Sequence, residues 1–181
     1  SSVEKAKKRL DESDKTDRDV IKRLREELKK SEDTDRELVK KVKEEIEKVE
    51  EELRRRGIDE SLLTELKRVA EEVKETIDDI HRKTKRVTEE HTKAADKIHE
   101  ETKRASKEHK ERIEELRKRG GDDDKIRRLL EHNEEVMKRS KERLDDLVRT
   151  NRKILEESKR KIEKLLKELR EVVEEVDRRA R

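Results

Sequence analysis

Five histidines, and no cysteine, carry most of the chemistry open to this chain. Four of them fall into a repeat. Ile80-His81 returns as Ile98-His99, Thr84 as Thr102, Val87-Thr88 as Ala105-Ser106, and His91 as His109, each eighteen residues on. An α-helix turns every 3.6 residues, so eighteen residues make five whole turns and each copy points the same way as its original. These residues occupy the stripe where Leu62, Leu66, Val69, Val73 and Ile77 stand one repeat earlier. A polar group cut off from water costs about 1–3 kcal/mol unless it finds a partner. The chemistry of the chain therefore turns on what His81, Thr84, His91 and their copies bond to.

The same spacing recurs on both sides of this stretch. Ser13 and Ser31 share a column with Val49, and Asp17 and Asp35 share one with Leu53. Further on, Asn133 and Asn151 share a column with Leu169, and Ser140 and Ser158 share one with Val176. Three chemistries are open to such a set. An Asp-His-Ser group could form a hydrolase triad, but a triad needs a cleft and an oxyanion hole, and long unbroken helices offer no free backbone N–H groups. Histidines could bind metal, yet there is no i,i+4 His pair and no His-Glu-x-x-His motif. The closest cross-helix pair, His109 with His132, lacks further soft ligands, and His132 falls off the apolar stripe. Neither catalysis nor a metal or other cofactor is expected. The third chemistry is hydrogen bonding inside a core: Asp accepts, His donates from either ring nitrogen, and Asn, Ser and Thr do both.

The elements that must position these groups follow from composition. Charged residues make up 59% of the chain, aromatics and proline are absent, and three glycines interrupt it. High charge with few apolar residues is also the signature of disorder, but here the apolar residues are strictly periodic and most other positions are good helix formers. The 55 basic and 52 acidic residues are interleaved, for a net charge of +3, which describes solvated helix faces rather than a basic stripe. Clustered cations and stacking aromatics are missing, so nucleic acid is not an expected partner. No apolar run approaches the roughly 20 residues that span a bilayer, and no signal-peptide pattern opens the chain. The expected chain is soluble, without a natural compartment to name, cytoplasmic if expressed in a host, and without a small-molecule substrate.

No glycine or proline breaks the stretch from Val3 to Arg56, whose stripe runs Val3, Ala6, Leu10, then Ile21, Leu24, Leu28, then Val39, Val42, Ile46. Ser13-Asp-Lys-Thr-Asp and Ser31-Glu-Asp-Thr-Asp could be helix N-caps, but the stripe crosses both without losing phase. Gly57 suits a left-handed C-cap, Asp59 an N-cap, and Ile58 a hydrophobic staple on Leu63. Gly120-Gly121 with Asp122, Asp123 and Asp124 makes a second turn, its acids set against the positive end of the next helix. The spacing thus predicts one all-α bundle over residues 1–181, with helices at about 2–56, 59–119 and 123–181. Three such helices, each about 85 Å long and joined by tight turns, must run antiparallel, up-down-up. An eighteen-residue period, the sum of the left-winding seven and right-winding eleven, keeps them nearly straight.

Antiparallel neighbours around the first turn pair residues whose numbers sum to about 116, and around the second to about 241. Asp17 then falls level with His99, Asp35 with His81, Asn133 with His109, and Asn151 with His91. Ser140 meets Thr102 and Ser158 meets Thr84, with Ser13 and Ser31 near the same two threonines; Thr88 and Ser106 complete the polar set. Two polar modules are expected, followed by a unit near the first turn in which every equivalent position is Val, Leu or Ile.

These features together resemble de novo designed helical bundles with modular buried hydrogen-bond networks, in particular designed heterodimers. The resemblance rests on the turns Arg56-Gly57-Ile58-Asp59 and Arg119-Gly120-Gly121-Asp122, the Glu/Lys/Arg surfaces, the eighteen-residue period and the interchangeable layers. It implies that apolar layers supply affinity while the networks reject wrong registers and wrong partners. Most members pair two helical hairpins; three helices in one chain departs from that. The expected function is an interaction module: three helices of a four-helix bundle, paired with a designed complementary single helix. Up-down-up topology leaves its vacancy between the first and third helices, with Asn133, Asn151, Ser13, Asp17, Ser31 and Asp35 reaching across. Alone, such a chain would expose a long apolar groove and self-associate or bind apolar dyes. The alternatives are a self-contained or self-associating scaffold, and a pH-responsive assembly. In the last, burial keeps His91 and His109 neutral while Asp favours charge on His81 and His99, and assembly is lost near pH 5.

Overall fold

The computed structural model describes the backbone of residues 2–57, 60–120 and 123–179. Within that range it describes every side chain except those of Ser2, Val3, Ala6, Lys7, Leu10, Ser13, Asp14 and Asp17. Helix α1 spans Ser2–Arg55, α2 Glu60–Lys118 and α3 Asp123–Arg179, and the chain is an all-α three-helix bundle. Each helix has acids in its first turn and bases in its last, opposing the helix dipole at both ends. Surface pairs one turn apart, such as Glu51–Arg55, Arg68–Glu72 and Glu135–Arg139, add a few tenths of a kcal/mol each.

Helix α1 runs through Ser13 to Asp17 and Ser31 to Asp35 without a break. The N-cap alternative is thus excluded, and the hydroxyls that could have capped turn back instead: Thr16 donates to the Glu12 carbonyl and Thr34 to the Lys30 carbonyl, both at 2.9 Å. Gly57 (φ 70°) and Gly120 (φ 79°) take the left-handed conformation that stops a helix. Their N–H groups donate to the carbonyls of Arg54 and Arg117 at 3.1 and 3.2 Å. The proposed staple and cap at Ile58 and Asp59, and Gly121 and Asp122 of the second turn, lie outside the described residues.

Contacts gather the three helices into two compact units. Unit 1 comprises Ser1–Glu26 and Thr88–Arg152; unit 2 comprises Glu27–Val87 and Lys153–Arg181. Unit 2 is the apolar one. Val42 and Ile46 of α1, Leu66 and Ile77 of α2, and Ile162, Leu166 and Leu169 of α3 form its main core, with Leu53, Leu63 and Val176 clustered towards the first turn. In unit 1 the core is Ile21, Leu24, Ala95, Ile98, Leu144 and Val148, and buried polar groups fill much of the rest. In both units α1 and α3 run parallel and are bridged directly, by Arg9–Glu134 in unit 1 and by Glu45–Arg170 at 3.3 Å in unit 2. Arg56 also lies 3.6 Å from Asp177 in unit 2. Among the described residues no large hydrophobic side chain is exposed. The long open apolar groove expected of an unpartnered chain is therefore absent, because α3 packs against α1 as well as α2.

Candidate functional site: the buried hydrogen-bond networks

The polar residues of α2 and α3 meet at the heights that antiparallel register requires. In unit 1, Asn151 is fully enclosed, and its carbonyl oxygen accepts from Thr88 Oγ1 at 2.9 Å and from His91 Nδ1 at 3.0 Å. A carbonyl has no proton to give, so the His91 nitrogen on it must carry one. One repeat away, His109 Nδ1 donates to Asn133 Oδ1 at 3.1 Å. Thr102 Oγ1 lies 2.8 Å from both the Ile98 carbonyl and Ser140 Oγ, so its one proton is shared between two acceptors. In unit 2, Thr84 donates to the Ile80 carbonyl at 2.8 Å, which leaves Ser158 to donate to Thr84 across 2.6 Å.

Helix α1 contributes differently. Asp35 is 3% exposed in unit 2, with Oδ2 3.6 Å from His81 Nδ1, an ion-pair separation rather than a hydrogen bond. Burial pushes the Asp35 carboxyl above its ordinary 3.8; the His81 ring and Lys159 pull it down, and Glu163 adds to the rise. Ser31 is half-buried, and its hydroxyl makes no hydrogen bond to Thr84 or Ser158. His99 is buried and does not lack a partner. Ser13 and Asp17 fall outside the described side chains, and with them the proposed Asp17–His99 and Ser13–Thr102 pairings.

Two buried polar atoms have no hydrogen-bond partner in these networks: Asn151 Nδ2 and Ser106 Oγ. Ser106 occupies in the second repeat the place of Thr88, but the bond equivalent to Thr88–Asn151 is not made. Asn133 and Asn151, expected to reach towards a fourth helix, instead spend their carbonyls on α2.

Two further contacts were not drawn from the sequence. His132, exposed on α3, sets its ring against that of His109 with centres 5.0 Å apart and planes at 87°. The parallel α1–α3 pairs share an offset of 125 residues, seen in Glu45–Arg170 and again in Arg9–Glu134. The two register sums differ by the same amount, so that contact was implicit in them.

Unit 1 also carries a groove between α1 and α3, about 450 Å³, whose walls include Lys8, Arg9 and Glu134 and whose floor includes Leu130, Asn133 and Met137. No helix among the described residues is long and apolar enough to cross a membrane. No family model, curated protein or solved structure matches the chain.

Proposed function

We propose that this chain is a de novo designed helix-pairing module, in which buried hydrogen-bond networks fix register and a complementary single helix is the partner. The observation that carries this reading is the repeated network between α2 and α3 together with its unpaired Asn151 amide and Ser106 hydroxyl. Apolar residues in those places would pack more stably, since each unpaired buried group costs about 1–3 kcal/mol. Polar residues there discriminate, because a helix that does not answer them leaves them stranded. The unpaired donors are a demand that the chain alone does not meet. The partner enters between α1 and α3, antiparallel to both, where the groove over Leu130, Asn133 and Met137 gives it a foothold in unit 1. Because α1 and α3 are bridged by ion pairs, binding has to part them.

A second reading, the self-contained scaffold, is favoured by the α1–α3 bridges and by the lack of exposed large hydrophobic side chains. The solution mass of the isolated chain, measured with an apolar dye present, separates the two. Self-association or dye uptake supports the interaction module. A dye-silent monomer overturns it in favour of the scaffold.

A further inference from the structure

The ring contact between His109 and His132 has a use that hydrogen-bond networks do not require. Both residues lie in unit 1, one on α2 and one on α3. His109 gives its Nδ1 proton to the Asn133 carbonyl oxygen at 3.1 Å, which fixes the ring and leaves Nε2 with a free lone pair. That is how histidine is prepared as a metal ligand: an outer carbonyl holds one nitrogen and the other faces the ion. His132 is exposed, so an ion and its waters have access. Two imidazoles sharing a tetrahedral ion at about 2.0–2.1 Å per nitrogen have ring centres roughly 5 Å apart. The observed separation of 5.0 Å is already of that size, and the 87° between planes leaves each ring free of the other's face.

We propose that His109 and His132 form a two-histidine site for a borderline divalent transition ion such as Zn²⁺, with Asn133 as the positioning residue and water in the remaining places. Among the described residues no cluster of three or more His, Asp or Glu surrounds the pair, so the site stays open and solvent completes it. The nearest carboxylates along α3 are engaged elsewhere, Glu135 with Arg139 at 2.7 Å and Glu131 with Arg127 at 4.0 Å. Imidazole donors select zinc, copper and nickel over magnesium or calcium.

The repeat supplies an internal control. Eighteen residues on, His91 and Asn151 reproduce His109 and Asn133, but Thr150 stands in the place of His132. His132→Thr therefore makes the lower module resemble the upper one, and Thr150→His does the reverse. Both positions are exposed, so neither change disturbs the core.

The test is calorimetric titration of the full chain with Zn²⁺ near pH 7.5, above the ordinary histidine pKa of about 6.5. The imidazole proton signals are followed in parallel. The parent should bind one ion with His109 and His132 signals shifting together. His132→Thr should bind at least tenfold more weakly, and Thr150→His should take up two ions. Asn133→Leu, with helix content checked by circular dichroism, should weaken binding while leaving both rings in contact with the ion. Equal Zn²⁺ binding by the parent and His132→Thr would overturn the site. So would a Thr150→His variant that gains no second ion.

Discussion

Thr88 and Ser106 stand eighteen residues apart in the same column, and both are buried, yet their hydroxyls have opposite standing. Thr88 donates to Asn151, whereas Ser106 Oγ has no partner. Thr88→Val should therefore cost about 1–2 kcal/mol, and Ser106→Ala should be neutral or stabilising; urea midpoints of the two variants check this. Periodicity told the column and the burial but not the difference, since a bond depends on tenths of an ångström that a wheel does not carry. Asp35 gives the second test. Its carboxyl is raised by burial, so the folded state binds the proton more tightly than the unfolded one. The charged form thus weighs against the fold at neutral pH, and that penalty is relieved as pH falls through the raised value towards the ordinary 3.8. Asp35→Asn should raise stability at pH 7 and flatten this acid-side gain. Asp35→Leu with His81→Leu should be at least as stable as the parent, while Asp35→Leu alone should be less so. Identical denaturation curves for the single and double changes would mean that the 3.6 Å approach has no energetic content.

At the scale of the helices, the period of eighteen placed nearly everything, because identical heights every five turns make register a matter of addition. The continuity of α1 through Ser31-Glu-Asp-Thr-Asp was legible for the same reason: a cap would have broken the phase of Ile21, Leu24, Leu28 and Val39. Ser31 illustrates the limit. Its column was right, but a short side chain on a half-buried edge does not reach Thr84 or Ser158. The turns rest on single residues. Gly57 has nothing within 4 Å of where a Cβ would lie, so Gly57→Ala meets no neighbour and suffers only from its positive φ. The expected loss is about 1–2 kcal/mol, read from a thermal or urea melt. A loss well above that would point to a packing role for the turn.

For the whole molecule, the sequence gave clear grounds for a three-helix bundle but not for how α1 and α3 would meet. An up-down-up chain can leave a fourth place open or close on itself, and burial patterns of one chain suit both. The α1–α3 ion pairs take the second form, although they are exposed and worth little singly. Arg170→Glu should accordingly cost under about 1 kcal/mol in the monomer and less at high salt. The networks also bear on acid behaviour. In His91 and His109 the nitrogen bonded to Asn carries a proton in the neutral ring and in the charged one, so protonation elsewhere on the ring leaves that bond intact. Helix content should therefore persist from pH 7.5 to about pH 5, and a sharp loss of circular dichroism in that range would revive the pH-responsive reading.

The networks hold four of the five imidazoles, and the chain has no other aromatic ring. The aromatic proton spectrum of the entire protein is thus a handful of histidine lines on an empty baseline. His81 reports from unit 2 and His91, His99, His109 and His132 from unit 1, so each unit has its own resonances without labelling or an added probe. Warming the sample in a spectrometer would time the melting of the two halves separately. If the His81 lines collapse at a different temperature from the others, the chain unfolds in two steps; if all five go together, it unfolds in one.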